Sequence, residues 1–171
     1  MSDASRRVTR LGLLTGMALV LFLVEASLPR PLPWMRLGLA NSAVLAALLL
    51  FGTGSALAVT LAKLLLGGLL GGGLAGPAFV IGSSAGLASF TAMALCWHYL
   101  PRLFSPVGLS IVGALVHQVT QLTVAALYLG HDGLFSLLPM FLLSGVASGL
   151  LTGTATYYAL RALPDTSERD A

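Results

Sequence analysis

Charge is what this chain has least of. Only 9% of its 171 residues are charged, against about a quarter in an average soluble domain. A water-facing shell cannot be assembled from that composition, so a soluble globular domain is excluded. Acids are especially scarce: six in all, of which Glu25 and Asp132 alone fall between residues 11 and 160. A centre that handles diphosphates through Mg²⁺ would need clustered carboxylates, so prenyl-diphosphate condensation by this chain is not expected. The single cysteine, Cys96, excludes an internal disulfide and reads as a small core hydrophobe. His98, His117 and His131 make no closely spaced ligand pair, and no H-E-x-x-H pattern occurs, so a metal site is not expected. The glycine run "GGLLGGGLAGP" lacks the lysine and hydroxyl of a phosphate loop. No cofactor is expected. The net charge of +3 is scattered along the chain, whereas a nucleic-acid surface needs clustered bases; nucleic acid is not an expected partner.

What is present is oil: 57% hydrophobic residues and a mean hydropathy of +0.93. The reading is an all-α integral membrane protein, because only helices or closed barrels satisfy backbone groups in lipid and these segments are too long and apolar for barrel strands. Residues 1–10 form a polar N-terminal tail, 11–160 one six-helix membrane domain and 161–171 a polar C-terminal tail. The spans are expected at 11–27, 37–51, 54–70, 78–98, 107–129 and 134–160. With both termini on one side, Arg6, Arg7, Arg10, Arg102, Arg161 and Arg169 fall together, and Arg30 and Arg36 lie opposite. The positive-inside rule then makes both termini cytoplasmic in a multi-pass protein of the cell membrane. An alternative is that "VEA" at 24–26 closes a cleaved signal peptide, which would remove Glu25 and reverse this parity.

Against that apolar background a few residues stand out. The corner "LPRPLPWMRLGLAN" (28–41) places Pro31, Pro33 and Trp34 between Arg30 and Arg36, a stiff polar collar that either attracts an anionic solute or touches lipid head groups. Lys63 lies within span three, where a lysine needs water, a partner or a ligand; snorkelling, pairing with Glu25 and anion binding all satisfy it. His117 and Gln121 are one turn apart and share a face with Ser110, while Gln118 is displaced sideways. With Asn41 they either bond between helices or line a polar cavity. Gly12 and Gly16, and the stripe Gly145, Gly149 and Gly153, are candidate packing faces, against helices of this chain or of a partner. Pro77 is placed to start a helix after a broken, glycine-rich end, of the kind that exposes backbone groups to solutes in transporters.

"MRLGLANSAVL" (35–45), the glycines after Lys63, "FSPVGLSIVGALVHQVTQL" (104–122) and "LPMFLLSGVASGLLTG" (138–153) resemble the Gx transporter proteins, also labelled heptaprenyl diphosphate synthase component I. The resemblance covers about residues 10–160. It implies a six-transmembrane-helix bundle similar to the substrate-binding S components of energy-coupling factor transporters. By that resemblance Leu37 to Asn41, Lys63, and His117 with Gln118 occupy the family's motif positions, and Gly12 and Gly16 would meet a transmembrane coupling subunit served by separate ATPases.

The reading preferred from the sequence is therefore a non-enzymatic membrane subunit that captures a small, anionic or amphiphilic solute, such as a vitamin-like or isoprenoid and quinone precursor. Arg36, Asn41, Lys63, His117, Gln118 and Gln121 are its candidate binding residues, with membrane lipid around it. Two alternatives stay open: a non-catalytic accessory subunit of polyprenyl diphosphate or quinone metabolism, and a stand-alone secondary transporter.

Overall fold

A computed structural model describes residues 3–27, 36, 38–70, 73, 74 and 76–162. Arg30, Pro31, Pro33, Trp34, Leu37 and Arg169 lie outside the described residues, as do the side chains of Arg6 and Arg7. Among those described, regular structure is entirely helical: α1 (Asp3–Ser27), α2 (Asn41–Phe51), α3 (Thr53–Leu70), α4 (Pro77–Tyr99), α5 (Pro106–Leu129) and α6 (Leu138–Arg161). A 3₁₀ helix, Asp132–Leu137, leads into α6. Five segments are long and apolar enough to cross a membrane. The exception is α2, whose 11 residues extend about 16 Å at 1.5 Å each, half the hydrocarbon thickness.

The local chemistry accounts for the boundaries. Pro77 and Pro106 sit in the first turns of α4 and α5, where a missing N–H costs nothing and φ is already helical. Ser105 caps α5 by accepting the Gly108 N–H at 3.1 Å. Gly130, at φ +62°, closes α5 in the left-handed conformation. Three starts differ from the sequence expectation. Helix α1 begins at Asp3, inside the polar tail, because nothing in "DASRRVTR" breaks a helix. Helix α2 begins at Asn41 and not 37, because Gly38 turns the chain at φ +84°. Helix α6 begins at Leu138, the preceding six residues being wound as the 3₁₀ helix.

Consecutive helices pack on one another, and α2 and α3 are joined through Gly52 alone, so the chain runs up and down. The ends of α1, α3 and α5 and the starts of α4 and α6 therefore share one end of the bundle, while the short α2 starts partway down it, where Asn41 meets Ser89 of α4. Arg10, Arg102 and Arg161 belong to the opposite end.

The centre is a close-packed group rich in alanine, with Ala18, Ala43, Ala47 and Ala56 around Leu45, Leu48 and Met93. Small side chains let the helices approach, which is how bundles gain contact in lipid. Closest of all are α5 and α6. A Cβ added at Gly149 would lie 2.7 Å from the Ile111 Cα, and one at Gly153 would lie 2.8 Å from the Val107 Cα. The stripe Gly145, Gly149 and Gly153 is thus used inside this chain, against α5. Gly12 and Gly16 differ: nothing described lies within 4 Å of a Cβ at either.

Candidate functional site

One group of polar residues lies where the end of α1, α3, α4 and α5 surround the corner that leads into α2. Glu25, two residues before α1 ends, is only 4% exposed. Its carboxylate accepts the backbone N–H of Gly38 at 2.7 Å and of Leu39 at 3.0 Å. The collar's return into the bundle is thereby tied to the end of α1. A second tie comes from α5, where Gln121 Oε1 accepts the Arg36 N–H at 3.2 Å. The Arg36 guanidinium lies over the Phe22 ring, 4.0 Å from its centroid, a cation–π arrangement.

Below this corner, Asn41 bridges two helices. Its Oδ1 accepts from Lys63 Nζ on α3 at 2.5 Å, and its Nδ2 donates to Ser89 Oγ on α4 at 3.3 Å. Lys63 is 3% exposed and, seven residues before α3 ends, lies about 10 Å in from that end. Snorkelling therefore does not account for it. An ammonium carries three donors, and Asn41 engages one. Glu25 and Lys63 line the same cavity, so the pairing left open in the sequence is one of charges sharing a space, each hydrogen-bonded elsewhere.

His117 completes the group from α5. It is 5% exposed and sits beside Gln121 and the Ala85 backbone. Neither ring nitrogen makes a hydrogen bond of good geometry among the described residues, and Gln121 Nε2 is also without one. Buried polar atoms are nearly always satisfied in native structures. His117 lines an internal void beside Lys63, so its unpaired ring nitrogens mark a place where a further partner can be accepted.

Two adjoining voids meet at Arg36. The inner one, about 20 Å³, is lined by Glu25, Arg36, Asn41, Lys63, Gly86 and His117, among others; this is room for a single water. The outer cleft, about 150 Å³, runs between α3 and α4 under the glycine-rich link, with Phe22, Gly67, Gly68, Phe79 and Gly82 in its walls. Phe22, Arg36, Leu64 and Gly82 border both. Glycines Gly67 and Gly68 serve as floors for aromatic rings, since a Cβ there would fall 2.5 Å from Phe22 and 2.6 Å from Phe79.

Of the six residues singled out in the sequence, Arg36, Asn41, Lys63, His117 and Gln121 come together here. Gln118 does not: fully buried, it donates to Ser144 Oγ on α6 at 3.1 Å. Ser110, on the His117 face in sequence, is bonded to Thr152 at 2.8 Å and belongs to the α5–α6 seam. The sequence reading left out Phe22 and Gly82 and underrated Glu25. An acid near the end of an apolar helix, followed by a glycine-containing corner, was the available signal for the last. Among the described residues, no group of three or more His, Cys, Asp or Glu is arranged to hold a metal ion.

The chain matches the family described as heptaprenyl diphosphate synthase component I over residues 14–159. No curated protein matches the chain.

Proposed function

The chain belongs to the heptaprenyl diphosphate synthase component I family, and from that premise we propose that it is a substrate-capturing subunit of a membrane transport system. The observation that carries this reading is the buried polar space beneath the collar. There Lys63 is held by Asn41, while His117 and Gln121 keep unsatisfied polar atoms. A purely structural bundle gains nothing from that arrangement, because an intramembrane charge and unpaired polar groups are costly unless a pathway or ligand uses them.

In this reading the chain crosses the membrane six times, as in an energy-coupling factor S component. The short α2 completes its crossing together with the corner at residues 36–40 that descends into the bundle. The arginine-bearing end, with both termini, faces the cytoplasm, and the collar receives solute from outside. Energy comes from a coupling protein and ATPases. Helix α1 is the surface for that partner: its 18-residue apolar window is only 17% buried, and Gly12 and Gly16 present open backbone. The chain itself performs no chemistry.

The family's name supports a second reading, in which the chain is a non-catalytic membrane partner of a prenyl synthase. Native mass spectrometry of gently extracted protein separates the two. Capture requires a small-molecule adduct that disappears in Lys63→Gln, with a coupling subunit copurifying. A stable complex with a prenyl synthase and no small adduct would overturn it in favour of the accessory role.

A further inference from the structure

The inner void combines a very small volume with borders of opposite chemistry. At about 20 Å³ it has room for one water, which needs roughly 10–15 Å³. Glu25, Lys63 and His117 border this void and not the outer cleft, and all three are buried. An ammonium only donates hydrogen bonds, a carboxylate only accepts them, and a neutral imidazole accepts at one ring nitrogen. Asn41 engages one of the three Lys63 donors. Each Glu25 oxygen takes one backbone N–H and keeps a lone pair, since a carboxylate has about four acceptor positions. Neither His117 ring nitrogen has a bond of good geometry among the described residues.

That combination selects the occupant. A cation in the void would be repelled by the Lys63 ammonium and an anion by the Glu25 carboxylate, in a place where water screens neither. An apolar group would leave the bordering polar atoms as they are, at the cost of keeping them unpaired. A small molecule that both donates and accepts satisfies all three sides at once.

We propose that the inner void is a binding site for one ordered water, which accepts from Lys63 Nζ and donates to the Glu25 carboxylate and to a ring nitrogen of His117. Three partners are usual for a buried water, and such a bridge is nearly as favourable as a direct hydrogen bond. The two opposite charges are joined through the water, and α1, α3 and α5 are fastened to one another at a single point. One Lys63 donor stays unused, and Gln121 Nε2, which does not border the void, is unaffected; these remain for a solute. The inference is independent of the capture reading, because a partner of a prenyl synthase would hold the same water.

The test is X-ray hydroxyl-radical footprinting of the full chain in lipid nanodiscs, read by mass spectrometry after timed exposure to H₂¹⁸O. Radiolysis of a held water oxidises the side chains beside it, even where bulk solvent does not reach. His117 should therefore be oxidised although it is only 5% exposed. Phe141 and Leu48, buried away from the void, should stay unmodified. The oxygen added at His117 should acquire ¹⁸O later than that at the exposed His131, because a held water exchanges slowly. Gly86 lines the void, and the atom nearest to a Cβ there is the end of the Leu64 side chain at 3.3 Å, which can give way. Gly86→Ala thus puts a methyl group where the water sits, and oxidation of His117 should fall to the level of Phe141 while a cooperative thermal melt shows the fold retained. An unmodified His117 in the unaltered chain would overturn the proposal. So would ¹⁸O uptake as fast as at His131, which means open solvent, or undiminished oxidation in folded Gly86→Ala, which places the water elsewhere. Should Gly86→Ala fail to fold, the timing at His117 in the unaltered chain decides alone.

Discussion

Replacing Glu25 by Gln changes one atom of a buried side chain, and its consequence can be worked out locally. The carboxylate accepts two backbone N–H groups, from Gly38 and Leu39. Glutamine keeps one carbonyl oxygen and turns the other acceptor into an NH₂ donor facing an N–H. One charge-assisted bond is lost, a change of about 1.5–3 kcal/mol for bonds to charged groups. At about 1.4 kcal/mol per factor of ten, the corner at residues 36–40 should open roughly ten to a hundred times more often. Hydrogen exchange followed by mass spectrometry, on protein in lipid nanodiscs, reads this directly. The amides of Gly38 and Leu39 should exchange faster by that factor, while peptides from the α5–α6 seam, which Glu25 does not touch, keep their protection. Unchanged exchange at Gly38 and Leu39 would refute the claim that Glu25 ties the corner to α1. Faster exchange everywhere would refute the claim that the tie is local.

Gly149→Val and Gly153→Val should each lower stability by about 1–3 kcal/mol through overpacking against the α5 backbone, whereas Gly12→Ala and Gly16→Ala, built into open space, should leave thermal unfolding of the purified chain unchanged. Gly38→Ala should cost about 1–2 kcal/mol from its left-handed backbone, and the added Cβ, 3.2 Å from Asn41 Nδ2, should weaken ligand binding as well; a thermal melt and a binding titration check the two effects. Gln118→Leu removes an interhelical bond to Ser144 worth about 0.6 kcal/mol in a membrane bundle, so a small drop in melting temperature with ligand affinity unaltered is expected.

Much of the helical layout was readable because its punctuation is local. Pro77, Pro106 and Gly130 mark boundaries through their own backbone chemistry, and the expected spans four and five end within a residue of α4 and α5. The start of α2 was not readable. Gly38 turns the chain there, but the turn is held by Glu25 capturing amides 13 and 14 residues away, which no local pattern encodes. The site divides in the same way. Helical periodicity put His117 and Gln121 on one face and moved Gln118 aside, and the structure sends Gln118 to α6. Lys63 was conspicuous as an intramembrane charge, yet its partner Asn41 lies 22 residues earlier on another helix. The stacking of Arg36 on Phe22 and the meeting of two voids at Gly82 arise from packing among α1, α3 and α4, which a linear pattern does not carry. Glycine spacing was equally silent on destination: one stripe turned out to be buried against α5 and one pair to be open.

The central claim is that the Lys63 cavity opens to the membrane face opposite the arginines and receives solute there. Cysteine labelling in sealed, right-side-out vesicles tests it most directly, with Gly82→Cys and Arg102→Cys each placed in a Cys96→Ser background and exposed to a small membrane-impermeant thiol reagent. The expected result is labelling of Gly82→Cys from outside, slowed by bound ligand, with Arg102→Cys labelled only after the vesicles are opened. Labelling of Gly82→Cys from the arginine side alone, or no labelling from either side, would contradict it.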